Sequence, residues 1–229
     1  MDFTFGIVSN GQDYGHLNRC IESICNQKIK KYEIIIVGNL NTDKILDKNN
    51  IKFIDFDEKI KPGWITRKKN MITENSIYEN IVYMHDYLEL HNNWYRGYKK
   101  FGNDFEIAMN KMINPNNSRY RDWTLWPHNE CFVDEIISDN ACLLPYNVSN
   151  LSKYMYISGA YWVAKKSVMQ EYPLNENLTW GESEDVEWSK RVRDKFIFKM
   201  NKYSKTKLQK HKNPQFKPIT RKQLKKINI

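Results

Sequence analysis

Four carboxylates crowd the stretch Trp180-Gly181-Glu182-Ser183-Glu184-Asp185-Val186-Glu187, directly after a Trp-Gly break and at the start of a predicted helix that continues through Trp188, Val192 and Phe196. Like charges this close raise one another's proton affinity, and they cost stability unless a cation, a helix N-terminus or a substrate proton offsets them. An acidic first turn that complements the helix dipole accounts for any one of these acids. For the adjacent pair Glu184-Asp185, acid–base chemistry is the favoured reading. A second group is Arg119-Tyr120-Arg121-Asp122-Trp123-Thr124-Leu125-Trp126-Pro127-His128, rich in aromatic and charged residues and without a clean period. Aromatic faces beside hydrogen-bonding groups suit a sugar ring, whose C–H face packs on the π-system while its hydroxyls find polar partners; taken singly, each tryptophan is equally an ordinary core residue.

The elements that must position these groups alternate strand and helix signals. Residues 3–8 form an apolar, β-branched run that stops at Ser9-Asn10-Gly11, after which Leu17, Ile21 and Ile24 recur at helical spacing. Residues 33–37 form a continuous apolar run stopped by Gly38-Asn39, the pattern of a strand buried on both faces of a parallel sheet. A third strand over 51–56, a helix over 66–76 and a fourth strand over 80–84 complete a βαβ series. Ligands of such sheets bind beyond the carboxyl ends of the strands, here Ser9-Asn10, Gly38-Asn39 and His85-Asp86. Further on, residues 154–164 read as one strand, with Lys165-Lys166 opening a helix.

Composition bounds the function classes. The 229 residues, 41% hydrophobic and 14% aromatic, suffice for one domain, which falls into a first half (1–100), a second half of different texture (101–200) and a basic C-terminal tail (201–229). From Lys202 onward there are ten Lys or Arg and no Asp or Glu, so the tail more than accounts for the chain's formal net charge of +9 and the rest is near neutral. Basic tails are commonly just solvated; the functional alternatives are a phosphate-rich ligand, a peripheral contact with an anionic membrane, or nucleic acid. Nucleic acid ranks last, because the tail offers only Tyr203 and Phe216 for stacking. No apolar stretch is long enough to span a bilayer, and the N-terminus lacks the basic and apolar regions of a secretory signal, so a cytoplasmic protein is expected. Cys20, Cys25, Cys131 and Cys142 show no CxxC spacing, which fits reduced thiols.

Phe5-Gly6-Ile7-Val8-Ser9-Asn10, Cys20-Ile21-Glu22-Ser23-Ile24-Cys25-Asn26-Gln27, Glu33-Ile34-Ile35-Ile36-Val37 and the helix start at residues 67–70 resemble the nucleotide-binding half of family-two glycosyltransferases. Residues 154–166 and 180–191 resemble that superfamily's acceptor half with its Glu-Asp motif, and Trp180-Gly181-x-x-Glu184-Asp185 is also similar to the acidic motif of β-1,4-galactosyltransferases. The resemblance covers most of residues 1–200 in order. It implies the α/β GT-A fold, a mainly parallel central sheet flanked by helices, and hexosyltransferase-like transfer of a sugar from a nucleotide-sugar donor, with a divalent cation and with inversion.

Carried onto this chain, the resemblance makes Asp185 the base that deprotonates the attacking hydroxyl, and Glu184 the group that orients the acceptor. Ser9, Asn10 and Asn39 would contact the nucleoside, with Arg67, Lys69 and Asn70 near the diphosphate. Trp123, Trp162, Trp180 and Gly181 would contact the acceptor, a glycan or a lipid-linked molecule. The expected metal-binding Asp-x-Asp is replaced by His85-Asp86-Tyr87. Asp86 becomes the expected ligand for Mn²⁺ or Mg²⁺, with His85 and the C-terminal His211 as further candidates. Asn39 stands where the family places an acidic residue that reads the nucleobase, which leaves the base open, with a UDP-sugar as the working choice. The rival readings are a non-catalytic glycan- or nucleotide-sugar-binding relative, a nucleotidyltransferase and a nucleic-acid-binding protein.

Overall fold

The computed structural model describes residues 1–46, 49–125, 141–149, 151, 154–213 and 216–226. In chain order, β1 (Phe3–Val8), α1 (Tyr14–Cys25), β2 (Tyr32–Val37), β3 (Ile51–Ile54), α2 (Ile65–Asn75) and β4 (Asn80–His85) form the βαβ series expected from the apolar runs. β2 and β4 flank β1, β3 lies outside β2, and all three pairings are parallel. Side chains alternate between two cores, as the pleat requires. Phe3, Phe5, Ile7, Ile34, Ile36, Val82 and Met84 pack with Leu17, Cys20 and Ile24 of α1 on one face. Val8, Ile35, Val37, Ile81 and Tyr83 pack with Ile72 of α2 on the other. Strands buried on both faces must be apolar throughout, which is why they stand out in the sequence.

The second half completes the sheet with mixed pairing. β5 (Leu88–Leu90), α3 (Trp94–Phe101), β6 (Ile107–Ile113), β7 (Thr124–Leu125), β8 (Cys142–Leu143), β9 (Met155–Tyr156), β10 (Tyr161–Lys165), α4 (Lys166–Glu171), α5 (Glu184–Val192), β11 (Phe198–Leu208), β12 (Lys217–Pro218) and α6 (Arg221–Lys226) follow. The large sheet has the order β3-β2-β1-β4-β10-β6-β11-β5, and a small sheet has the order β12-β8-β7-β9. β10 is antiparallel to both β4 and β6, so parallel pairing on the β1 side gives way to a mixed arrangement beyond β4. Residues 154–164, expected as one strand, are two: β9 belongs to the small sheet and β10 to the large one. A turn between them is closed by Tyr161 N–H donating to the Ser158 carbonyl at 3.0 Å.

The segment expected as a basic tail from residue 201 starts inside the large sheet. β11 is its longest strand, parallel to β6 and antiparallel to β5, with a register shift between Asn201 and Lys205. Asn201, Ser204, Thr206 and Leu208 are buried, whereas Lys202 and Tyr203 are exposed and Lys205 and Lys207 half-buried. Three of the ten cationic residues that read as a solvated charge run, Lys202, Lys205 and Lys207, thus belong to a strand whose other side is small, polar or apolar. Among the described residues no helix is long and apolar enough to cross a membrane.

A chain ending at Asn201 tests this placement. It loses the half of β11 that pairs with β5, so its cooperative thermal transition should disappear or fall by many degrees. A melting temperature equal to that of the full chain would mean that these residues are a dispensable tail.

Candidate active site

The acidic cluster sits where β9, β10, α2 and α5 meet. Gly181 and Ser183 both have positive φ, 89° and 59°, which turns the chain sharply after Trp180 and starts α5 at Glu184. Glu184, Asp185 and Glu187 occupy the first turn, and Lys190 and Arg191 the last, so the helix is charged in the sense its dipole favours. Two of the four carboxylates have local structural roles. Glu182 accepts from the Thr179 N–H and hydroxyl, and Glu187 pairs with Arg191 at 2.7 Å.

Glu184 and Asp185 are held differently. Asp185 Oδ2 accepts from the Gly159 N–H at 2.7 Å and Oδ1 from the Val186 N–H at 2.9 Å. The Asp185 carbonyl accepts from the Ser189 hydroxyl, which in turn accepts from the Ile157 N–H, so the first turn of α5 is pinned to the β9–β10 turn. A Cβ on Gly159 would lie 2.8 Å from Glu184 Oε1 and 3.0 Å from Asp185 Oδ2, so only glycine admits both carboxylates here. Beneath them Lys69 of α2 is buried, at 1% exposure. Its ammonium donates to the Gly159 carbonyl at 2.9 Å, lies 3.8 Å from Glu184 Oε1 and sits 4.6 Å from the centre of the Trp162 ring. Burial pushes the proton affinity of Glu184 and of Asp185 above the ordinary carboxylate range, while Lys69 counters it. Burial likewise lowers the Lys69 ammonium, with Glu184 and Asp185 holding its charge.

These carboxylates border a cavity of about 1120 Å³ between the ends of the central strands and the small sheet, also lined by His85, Tyr87, Arg121, Trp180, Lys212 and Phe216. Successive side chains at the end of β4 point to opposite sides, and His85 and Tyr87 are the ones that reach the cavity. Asp86, expected as the metal ligand, instead takes a 2.6 Å hydrogen bond from the Ser9 hydroxyl and is not part of the cavity lining. Its proton affinity is raised by burial, with the Ser9 bond opposing. The imidazole of His85 is kept neutral well below its ordinary range by burial and then by Lys69 and Lys212. The Lys212 ammonium donates to the Tyr87 hydroxyl at 2.6 Å and lies 4.0 Å from the ring centre. Burial, then Lys210 and Arg121, bring its pKa down to about 8.

The other expected site residues are distributed unevenly. Ser9 is buried, and its hydroxyl also accepts from the Gly11 N–H; Asn10 and Asn39 are exposed at the neighbouring strand ends. Arg67 pairs with Glu74 and Glu176, and Asn70 exchanges hydrogen bonds with Leu174 and also donates to Glu176. With Lys69 under the acidic pair, all three residues expected near a diphosphate are engaged in tying α2 to the second half of the chain. Trp123 and Trp162 are fully buried core side chains, Trp123 donating its indole N–H to the Val148 carbonyl. Trp180, 71% exposed, and Gly181 stand on the cavity rim. His211 is exposed, and its neighbour Lys212 is the residue that enters the cavity. Trp126, His128 and Cys131 lie outside the described residues. Arg121 lies in the aromatic and charged segment 119–128 singled out above, whereas Gly159, Tyr87 and Lys212 have no functional signal in the sequence beyond Ser158-Gly159, a turn signal inside an apolar run.

No family model matches this chain, and no curated protein matches it. Among solved structures it is similar to GalNAc-T7, a glycosyltransferase crystallised with UDP, GalNAc and Mn²⁺, with a TM-score of 0.63 over 94% of this chain at 12% identity. The fold is GT-A. The chain spans about half of that protein's length, 45%, and at this identity the likeness establishes the fold alone.

The raised proton affinities have a thermodynamic consequence. A carboxylate whose folded-state pKa lies above its unfolded value adds stability when protonated, and that contribution is lost as pH rises through the raised value. Relative to the wild type, Asp185→Asn should therefore gain stability progressively as pH rises from about 4 towards neutrality, on top of a pH-independent offset from the amide's poorer match to two N–H donors. Melting curves of both proteins across that range measure it, and a difference that stays constant with pH would show that Asp185 has an ordinary pKa.

Proposed function

We propose that this protein is a glycosyltransferase that moves a sugar from a nucleotide-sugar donor to a hydroxyl acceptor with inversion at the anomeric carbon. The observation that carries this reading is the Asp185 carboxylate, of raised proton affinity, held by the Gly159 and Val186 N–H groups at the edge of a large cavity in a GT-A fold. Each oxygen accepts one backbone bond and keeps a lone pair for an acceptor hydroxyl. Asp185 takes the hydroxyl proton while that oxygen forms its bond to the anomeric carbon from the side opposite the departing diphosphate, so one displacement inverts the centre. Glu184, only 6% exposed yet on the cavity wall, orients the acceptor hydroxyls, and Trp180 offers an exposed aromatic face to a sugar ring. The UDP bound by GalNAc-T7 supports a UDP-sugar donor, and its GalNAc supports a glycan-type acceptor. The Mn²⁺ of that structure supports a divalent cation for the fold, but among the described residues the donor set does not fit one. His85 and Tyr87 face the cavity at the strand end, an ammonium rests on Tyr87, and among the described residues no three His, Cys, Asp or Glu side chains cluster to hold a metal ion.

With a donor identified by thermal shift across nucleotide sugars, Asp185→Asn should lower the turnover number by about two to four orders of magnitude and leave donor affinity unchanged. Glu184→Gln should raise the acceptor KM or lower the rate, while Glu182→Gln and Glu187→Gln retain most activity. The rate should fall on the acid side at a pH above the ordinary carboxylate range, because the base must be ionised to work. The cavity-facing positions of that strand end, His85 and Tyr87, carry no carboxylate, which also suits a non-catalytic nucleotide-sugar-binding protein. Donor binding with no transfer to any acceptor and no donor hydrolysis would favour that reading, and near-normal transfer by folded Asp185→Asn would remove Asp185 as the base.

A further inference from the structure

We propose that the outer face of α3, together with the adjacent bulge of β11, is a docking surface for an anionic lipid bilayer. The proposal rests on no step of the glycosyltransferase reading. Arg96, Lys99 and Lys100 stand at i, i+3 and i+4 on α3 and are all exposed, while Trp94, Gly97 and Tyr98 are buried against the sheet. Beside them the register of β11 shifts between Asn201 and Lys205, and Lys202 and Tyr203 stand out into solvent. The bulge is fixed in place. The side-chain carbonyl of Asn201 accepts from the Tyr203 N–H at 3.0 Å, and the Ser204 hydroxyl donates to the Trp94 carbonyl at 2.7 Å. A Cβ on Gly97 would collide with the Ser204 hydroxyl and the Tyr203 carbonyl, so glycine lets the helix press directly on the bulge. Helix and bulge thus present one rigid surface of four cations and a tyrosine that is 41% exposed. Aromatic rings hold the ammonium groups: Lys100 lies 4.5 Å and Lys202 5.6 Å from the centre of the Tyr203 ring, and Lys99 lies 5.0 Å from that of Tyr95. Among the described residues none of the four cations pairs with a carboxylate. The acids next before and after α3 in the chain are engaged elsewhere, Glu89 with Arg19 at 3.6 Å and Asp104 with Lys199 at 3.2 Å. A cationic face with a tyrosine among its charges complements the negative surface and the interfacial layer of a bilayer. Nucleic acid fits less well, because the Tyr203 ring that would stack on a base is already engaged by two ammonium groups. The surface lies beside the start of β1, where Trp94 and Tyr98 pack on Phe3, and none of its five residues lines the cavity.

Co-sedimentation of the full chain with vesicles of phosphatidylcholine alone, or of phosphatidylcholine with phosphatidylglycerol, tests this at low and at high NaCl. The wild type should be retained by the anionic vesicles at low salt, released from them at high salt, and not retained by phosphatidylcholine alone. Lys99→Gln combined with Lys100→Gln should lower the partition coefficient about fivefold for each cation removed, and adding Tyr203→Ser should lower it further. Lys222→Gln combined with Lys225→Gln takes the same charge from exposed positions of α6 and should change the partition coefficient little. All the substituted side chains are exposed, so melting curves that match the wild type identify a lost surface contact rather than a lost fold. An equal loss in the α6 pair would overturn the inference, because the attraction would then follow total charge and not this face. Failure of the anionic vesicles to retain the wild type at low salt would overturn it as well. If, in that case, the chain is retained on RNA and Lys99→Gln with Lys100→Gln abolishes the retention, the face belongs to nucleic acid instead.

Discussion

A single buried ammonium sets the geometry on which the acidic site depends. Lys69 leaves water entirely, and an isolated buried charge is expensive enough that it persists only when paired and hydrogen-bonded. Its partners are the Gly159 carbonyl, the Glu184 carboxylate and the face of Trp162, contributed by three separate elements. α2, the β9–β10 turn and the start of α5 therefore cannot move independently. The same cation lets two adjacent carboxylates remain close to each other in a partly dry place, while burial keeps their proton affinity high. A base of that kind needs both conditions, because a fully solvated aspartate is too weak and an uncompensated buried one would stay protonated.

Around this knot the cavity divides its charge. Among the described residues, the acidic side is held by Lys69 and by backbone donors, and Arg121, Lys212 and Lys217 line the other side. The division follows from topology. β4 ends in His85, Asp86 and Tyr87, of which the middle residue turns to Ser9 and the outer two face the cavity. β11 then brings the following segment back over that strand end through its pairing with β5, and Lys212 lands on Tyr87.

The sequence revealed the first half of the chain more clearly than the second, for a physical reason. Strands buried on both faces carry unbroken apolar runs, and β1, β2 and β4 announce themselves; α1 and α2 follow from the recurrence of apolar residues between them. β11 lies near the edge of the sheet, and its alternation of lysine with asparagine, serine and threonine has the composition of solvated chain, so only its partners identify it as a strand. The acidic pair was visible because two adjacent carboxylates need a reason. What fixes them was not, since Gly159 acts through its backbone, and Lys69 comes from a helix 115 residues earlier whose polar residues read as a diphosphate site. At the strand end Asp86 carries the metal-binding residue type and bonds to Ser9, while His85, the other candidate there, and Tyr87 face the cavity.

Asp185 owes its high proton affinity to burial and is restrained by Lys69, and a direct titration of its carboxyl group tests this most plainly. Proteins labelled with ¹³C at the aspartate carboxyl carbon, compared with Asp185→Asn to assign the resonance, report its ionisation by NMR. The account predicts a midpoint above the ordinary carboxylate range, moving higher still in Lys69→Met as the cation is withdrawn. A midpoint within the ordinary range, or one that does not respond to loss of Lys69, would contradict it.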